Sequence, residues 1–222
     1  MGETSKPPLF PLIRHLSAWV TPWLLKTPLS ANQATTLSLA AGLAAAALLS
    51  WGAQATDVYA GGALVLSYLL DNADGEIARA KGQSSKFGMH YDTFVDWAVH
   101  SAFFAALGAG VAQRTGEDVW LWMGLAAAAG GTLNYLISLV FQFRDGGDGD
   151  AEASATETAP RPEGAGEWAL FIFRELARAD FCFLVVLLGL SDALWLLLPA
   201  GMVGAQVYWI TQFIRRAREF HV

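Results

Sequence analysis

DNADGEIARAKGQSSKFGMHYDTFVD, residues 71–96, decides how this chain is to be read. It holds four aspartates, Asp71, Asp74, Asp92 and Asp96, between segments that are otherwise strongly apolar. Carboxylates at membrane depth are costly and as a rule functional. Asp71 and Asp74 are three residues apart and Asp92 and Asp96 are four apart, so on helices each pair shares a face. The polar residues between them, Lys81 to Phe87, read as a short turn. A short turn makes the flanking helices antiparallel neighbours and lets the two pairs face each other. At 1.5 Å per residue, Asp71 lies roughly 14 Å along its helix from the polar end. Asp92 and Asp96 fall in a similar range of depth.

The rest of the chain says what holds these acids. Of 222 residues 54% are hydrophobic and 15% are charged, against roughly 25% charged in average soluble domains. Several apolar runs reach the roughly 20 residues that a membrane-spanning helix needs. The expected fold is an all-α integral membrane protein, one domain over residues 1–222, with about six transmembrane helices and an N-terminal amphipathic helix. One cysteine, Cys182, excludes an intramolecular disulfide and a Cys-rich metal site. No signal peptide is evident, because the N-terminus lacks an apolar core followed by a small-residue cleavage site. The net charge of −6 owes much to one acidic loop and says little about partners. No nucleic-acid partner is expected.

Residues 1–31 form the interfacial helix and its lead-in. Within them, Leu9, Leu12, Ile13, Leu16, Val20, Trp23 and Leu24 recur at helical spacing, as in a helix lying in the membrane interface. Packing of this stripe on other helices is the alternative. Pro11 and Pro22 limit or kink it. The spans are then expected at about 32–50, 58–80, 88–112, 119–143, 181–198 and 200–214, with the fifth interrupted by Ser191 and Asp192. Ser30 and Asn32 signal the start of the first. The fourth is rich in alanine and glycine, which suits close helix approach. Residues 144–167 are Gly-, Pro- and acid-rich without apolar periodicity and read as a flexible loop. Its acids lack the ordered spacing of a calcium loop. A second amphipathic segment runs from Trp168 to Ala179.

With six spans, all but Arg114 of the 14 lysines and arginines collect on one side. The basic side is the cytosolic one. Both termini and the aspartates then face the cytosol of the cell (inner) membrane.

Four converging carboxylates cannot all ionise without compensating positive charge. One or two hard divalent cations, magnesium or manganese, suit such an oxygen donor set. Gly75, Gly88 and Ala78 lie beside the acids, and glycine inside a helix costs about 1 kcal/mol relative to alanine. Their use suggests close approach of something to the backbone. Arg79 offers a fork suited to phosphate. Together these groups describe a pyrophosphate site, where two metals clamp the attacking and the leaving oxygen. A solvated turn in which the acids pair with Arg79, Lys81 and Lys86 uses the same residues. It does not explain why the acids extend about three turns into apolar helices.

Asp71-x-x-Asp74-Gly75-x-x-Ala78-Arg79, eight residues, then Gly88-x-x-x-Asp92-x-x-x-Asp96 resembles, position for position, the signature of the CDP-alcohol phosphotransferases (CDP-alcohol phosphatidyltransferases). The resemblance implies a homodimer of six-helix protomers with a polar cavity open to the cytosol. It implies that Asp71, Asp74 and Asp92 hold the metals, with Asp96 near the second metal and acting as general base. Gly75, Ala78, Arg79 and Gly88 would line the CDP site. Asn32 and Thr35 resemble the polar residues that family members carry beside the nucleotide, although Ala31 stands where a proline is usual. The implied reaction transfers a phospho-alcohol group from a CDP-alcohol, with CDP-diacylglycerol the expected donor in phospholipid biosynthesis, to the hydroxyl of a small alcohol acceptor and releases CMP. The same chemistry on CDP-inositol would give a soluble product. FRELARADF, residues 173–181, loosely resembles members that join two inositol phosphates.

Arg144, Arg174 and Arg178 are candidates for an acceptor phosphate, with lipid headgroups as the competing use of their charge. The fourth span lacks the pattern common among phosphatidylglycerophosphate and inositol-phosphate lipid synthases. His100, one turn after Asp96, is read as a histidine satisfied by a neighbouring helix. Asn134 and Gln206 are read as interhelical hydrogen-bonding residues. An intramembrane prenyltransferase would need two separated aspartate motifs and more spans. A cation transporter would need polar residues crossing the bilayer, not acids confined to one end.

Overall fold

Helix ends in this chain are written in its caps. Ser30 accepts from the Gln33 N–H at 3.3 Å while Gln33 Oε1 accepts from the Ser30 N–H at 2.9 Å, a reciprocal box that opens the first long helix. Ser85 accepts from the Gly88 N–H at 3.0 Å and opens another. Gly82, at φ 64°, closes the helix before it. The computed structural model describes residues 11–144 and 180–219, with side chains at 11–141 and 180–214. The helices are α1 (Leu12–Leu24), α2 (Ala31–Leu49), α3 (Gln54–Lys81), α4 (Lys86–Thr115), α5 (Val119–Arg144), α6 (Phe181–Leu190) and α7 (Leu197–Glu219), with a 3₁₀ turn at Leu194–Leu196. No strand occurs among the described residues. The protein is an all-α integral membrane protein.

Four of the described helices are long and apolar enough to cross a membrane: α2, α4, α5 and the run Leu194–Ile214. α3 has 28 residues, but Asp57 near its start and the charged run at its end make it less apolar. α6 is apolar but only ten residues long. The expected fifth span therefore breaks early. Ser191–Ala193 interrupt it, with Asp192 at φ 53°, a left-handed conformation that aspartate tolerates better than most side chains. The last helix begins at Leu197 rather than 200 and accommodates Pro199 in its first turn, where no intrahelical N–H is needed. The acidic loop and the 168–179 segment lie outside the described residues, as do Leu9 and Lys6.

α3 packs against α2, α1 and α6, α4 against α2 and α5, and α5 against α7. One core runs through them, with Phe103, Leu64, Leu107, Val95 and Val185 fully enclosed. α4 and α5 cross at Gly108 and Gly124, where a Cβ on Gly124 would stand 2.4 Å from the Phe104 carbonyl oxygen. The glycine-rich fourth apolar segment is thus used for close approach. Gln206 Nε2 donates to the Ala126 carbonyl at 2.9 Å, the interhelical bond expected of it. Asn134 Oδ1 is buried without a hydrogen-bond partner among the described residues.

α1 lies on α3 with Ile13, Ser17 and Thr21 buried, while Trp19 and Trp23 are exposed. Pro11 takes its N-cap, Pro22 sits in its last turn, and Ser17 Oγ donates to Glu76 Oε1 at 2.8 Å. Its first two N–H groups, of Leu12 and Ile13, donate at 2.7 and 2.9 Å to the carboxylate of Asp180, which is completely buried ahead of α6. At the opposite end of the bundle from residues 82–85, Arg114 Nη1 lies 2.9 Å from Asp192 Oδ1 and 3.4 Å from Asp57 Oδ2. Arg114, alone on its side by sequence, ties α4 to α3 and to the turn after α6.

Candidate active site

The short turn brings the acids of α3 and α4 face to face as the spacing predicts, but the two helices do not pack closely on each other, and each packs instead on α2. Asp71 and Asp74 from α3 and Asp92 from α4 each offer an oxygen within 4.8 Å of the others. Asp74 is buried, and Asp71 and Asp92 are half-buried. Asp96 stands one turn further along α4, exposed, and is not part of that group. α2 closes the third side. The Thr35 hydroxyl donates to Asp74 Oδ2 and lies 3.1 Å from the Ala31 carbonyl oxygen.

Beside the carboxylates opens a cleft of about 210 Å³. Asp74 and Asp92 line it, and so do all six residues that the sequence places around a nucleotide: Asn32, Thr35, Gly75, Ala78, Arg79 and Gly88. The glycines are there for space. A Cβ on Gly75 would meet Arg79 Nη1 at 3.3 Å, so the guanidinium folds back over the bare Cα one turn earlier. A Cβ on Gly88 would stand 3.2 Å from both Asn32 Oδ1 and Ser85 Oγ.

Sequence reasoning missed Ala31, Gln83, Ser84, Ser85 and Met89, which also line the cleft. Gln83–Ser85 is the polar run inside the motif's spacer, and that polarity was the available signal. The turn carrying it is fastened to the start of α2: Gln83 Oε1 accepts from the Ala31 N–H at 2.9 Å. Lys81 Nζ donates to the Thr27 and Leu29 carbonyls at 2.9 and 2.8 Å. Lys81 is thus engaged by main-chain oxygens rather than by the aspartates, which weakens the solvated-turn alternative.

Behind Asp96, His100 Nδ1 is 2.7 Å from the Asp96 carbonyl oxygen, so that nitrogen carries the proton. Its Nε2 lies 2.8 Å from the Tyr68 hydroxyl on α3. His100 is satisfied by its own helix and a neighbouring one, as the sequence suggests. Arg174 and Arg178 lie outside the described residues, and Arg144 ends α5 with its side chain undescribed.

The donor set is all oxygen, three carboxylates on two helices, with an arginine on the same cleft. Such a set fits a hard divalent cation, which prefers oxygen and leaves positions open to a phosphate. The arrangement can bind a metal-bridged diphosphate with its remaining length along the cleft.

A family model described as CDP-alcohol phosphatidyltransferase matches residues 29–214. Among curated proteins, a bifunctional IPC transferase and DIPP synthase of Rubrobacter xylanophilus is 38% identical over 108 residues, 48% of this chain. One of the same description from Aquifex aeolicus is 35% identical over 98 residues, 43% of this chain. The matched stretches span only 22% and 21% of those relatives' own lengths.

Proposed function

Because the chain belongs to the CDP-alcohol phosphatidyltransferase family, we propose that it moves a phospho-alcohol group from a CDP-alcohol to the hydroxyl of an acceptor alcohol. One observation carries the reading: three carboxylates converge at a cleft lined by every residue the motif assigns to the nucleotide. Asp71, Asp74 and Asp92 would hold two ions of magnesium or manganese, hard cations matched to their oxygens. Asp96, one turn beyond Asp92 and exposed, is the remaining acid and takes the role of general base. A divalent cation bound at the three carboxylates supplies charge neutralisation on the diphosphate and on the leaving phosphate.

Gly75, Ala78 and Gly88 leave room for the diphosphate along the α3–α4 wall, and Arg79 pairs with its oxygens. Asn32 and Thr35 hold the nucleotide from α2, and Thr35 also orients Asp74. The acceptor's hydroxyl oxygen forms a bond to the phosphorus bearing the alcohol. The bond from that phosphorus to the CMP oxygen breaks in line, and the hydroxyl proton passes to Asp96. We assign the cleft to the cytosolic face of the cell membrane, with both termini on that side, and the working unit to a homodimer. Arg144, Arg174 and Arg178 are assigned to the acceptor's phosphate.

CDP-diacylglycerol is the first donor to test, with a phospholipid as product. A CDP-inositol donor and a soluble inositol-phosphate product form the second reading, favoured by the likeness to the IPC transferase and DIPP synthase proteins. Purified protein in detergent, given either donor and a set of acceptors, is expected to release CMP only with magnesium or manganese present. Asp96→Asn is expected to lower that release by at least about a hundredfold while leaving the thermal midpoint unchanged. Undiminished turnover in Asp96→Asn would sink the base assignment, and CMP release unaffected by chelation would sink the metal site.

A further inference from the structure

The end of the cleft away from the carboxylates has its own chemistry, and Gln83 is its best-oriented group. Its Oε1 accepts from the N–H of Ala31, the first residue of α2. That N–H has no acceptor within its own helix. Only the amide oxygen can meet an N–H donor, so the side chain is fixed with its oxygen toward α2 and its –NH₂ left to donate. Gln83 lines the cleft beside Asn32, Ser84 and Ser85. From Asp74 to the end of α3 at Lys81 is seven residues, roughly 11 Å along the helix. A diphosphate at the carboxylates therefore sets its nucleoside beside this turn.

We propose that Gln83 reads the nucleobase, its –NH₂ donating to the acceptor edge of cytosine and thereby rejecting uracil. The proposal rests on the CDP-alcohol reading above. Cytosine presents N3 and O2 side by side as acceptors, whereas uracil carries a hydrogen on N3. A donor held against that hydrogen leaves both groups unpaired, and a mismatch of this kind discriminates more strongly than a change in apolar contact. The bond to Ala31 gives the reading its orientation, because a freely rotating amide could turn its oxygen to uracil instead.

The test compares CDP-diacylglycerol and CDP-inositol with their uridine counterparts, read as release of CMP or UMP. Competition by free CMP and free UMP gives a second readout. Wild type is expected to favour the cytidine forms strongly. Gln83→Glu keeps an oxygen for Ala31 but turns an acceptor toward the base. Its cytidine-to-uridine ratio in kcat/KM should fall about tenfold or more, with the same trend in CMP against UMP competition. Gln83→Asn, one methylene shorter, withdraws the donor and should lower the ratio too, which keeps the test open if the glutamate variant does not fold. A wild-type ratio in both variants, whatever their overall activity, overturns the proposal and leaves Gln83 as a fastening of the turn to α2. Wild-type protein that releases no CMP from any donor overturns the parent reading instead.

Discussion

Gly88 shows how little room the nucleotide wall has at the residue scale. A methyl group there would press on Asn32 Oδ1 and on Ser85 Oγ, each 3.2 Å from its position. Ser85 is also the N-cap of α4 and cannot withdraw without losing its bond to the Gly88 N–H. Asn32 is the group that must move. Gly88→Ala is expected to raise the donor KM by about threefold to tenfold with a smaller change in kcat, the pattern of lost ground-state binding. Initial rates of CMP release against donor concentration measure it. A donor KM equal to wild type would show that Asn32 does not touch the donor.

At the scale of elements, α1 is held by a group from the far end of the sequence. Asp180 is completely buried, and its carboxylate accepts the first two N–H groups of α1. Asp180→Ala leaves both donors without that acceptor, at a cost of about 1–3 kcal/mol each where water cannot reach them. A lower thermal midpoint in detergent is expected, with a smaller drop for Asp180→Asn, which keeps one oxygen. An unchanged midpoint in the alanine variant would mean that water replaces the carboxylate. This bond also marks where sequence reading stops. The helix start at Ser30 was legible because its partner, Gln33, lies within a few residues; the caps at Gly82 and Ser85 are equally local but in the sequence read only as part of a polar turn. The aspartate cluster was legible for the same reason, since one short turn brings the two aspartate pairs toward each other, whereas the packing of both helices on α2 was not. Asp180 with α1 and Gln83 with α2 join positions 168 and 52 residues apart, and no local pattern announces them. The break after Leu190 was visible as Ser191 and Asp192, but its depth depended on Asp192 adopting a left-handed backbone.

Over the whole molecule, the α3–α4 hairpin is fastened at both ends by different means. Lys81 and Gln83 tie the cleft end to the lead-in and start of α2, and Arg114 ties the other end between Asp57 and Asp192. Asp57 is buried, so Arg114→Met leaves a carboxylate without its cation. Partial exposure of Arg114 and Asp192 discounts the loss to about 1–2 kcal/mol. The expected result is a lower thermal midpoint with donor KM unchanged, because the triad lies at the opposite end from the cleft. A changed KM would show that the two ends are coupled. The clasp on α1 has a further consequence, one for descent with modification. Proline is ordinarily welcome at the first position of a helix, because its missing N–H had no partner to lose. Here the N–H groups of positions 12 and 13 are both taken, and position 11 is a proline that donates nothing. Homologues that keep an acid at position 180 should therefore exclude proline from positions 12 and 13, and at position 13, where Ile13 is buried in the core, also keep an apolar side chain.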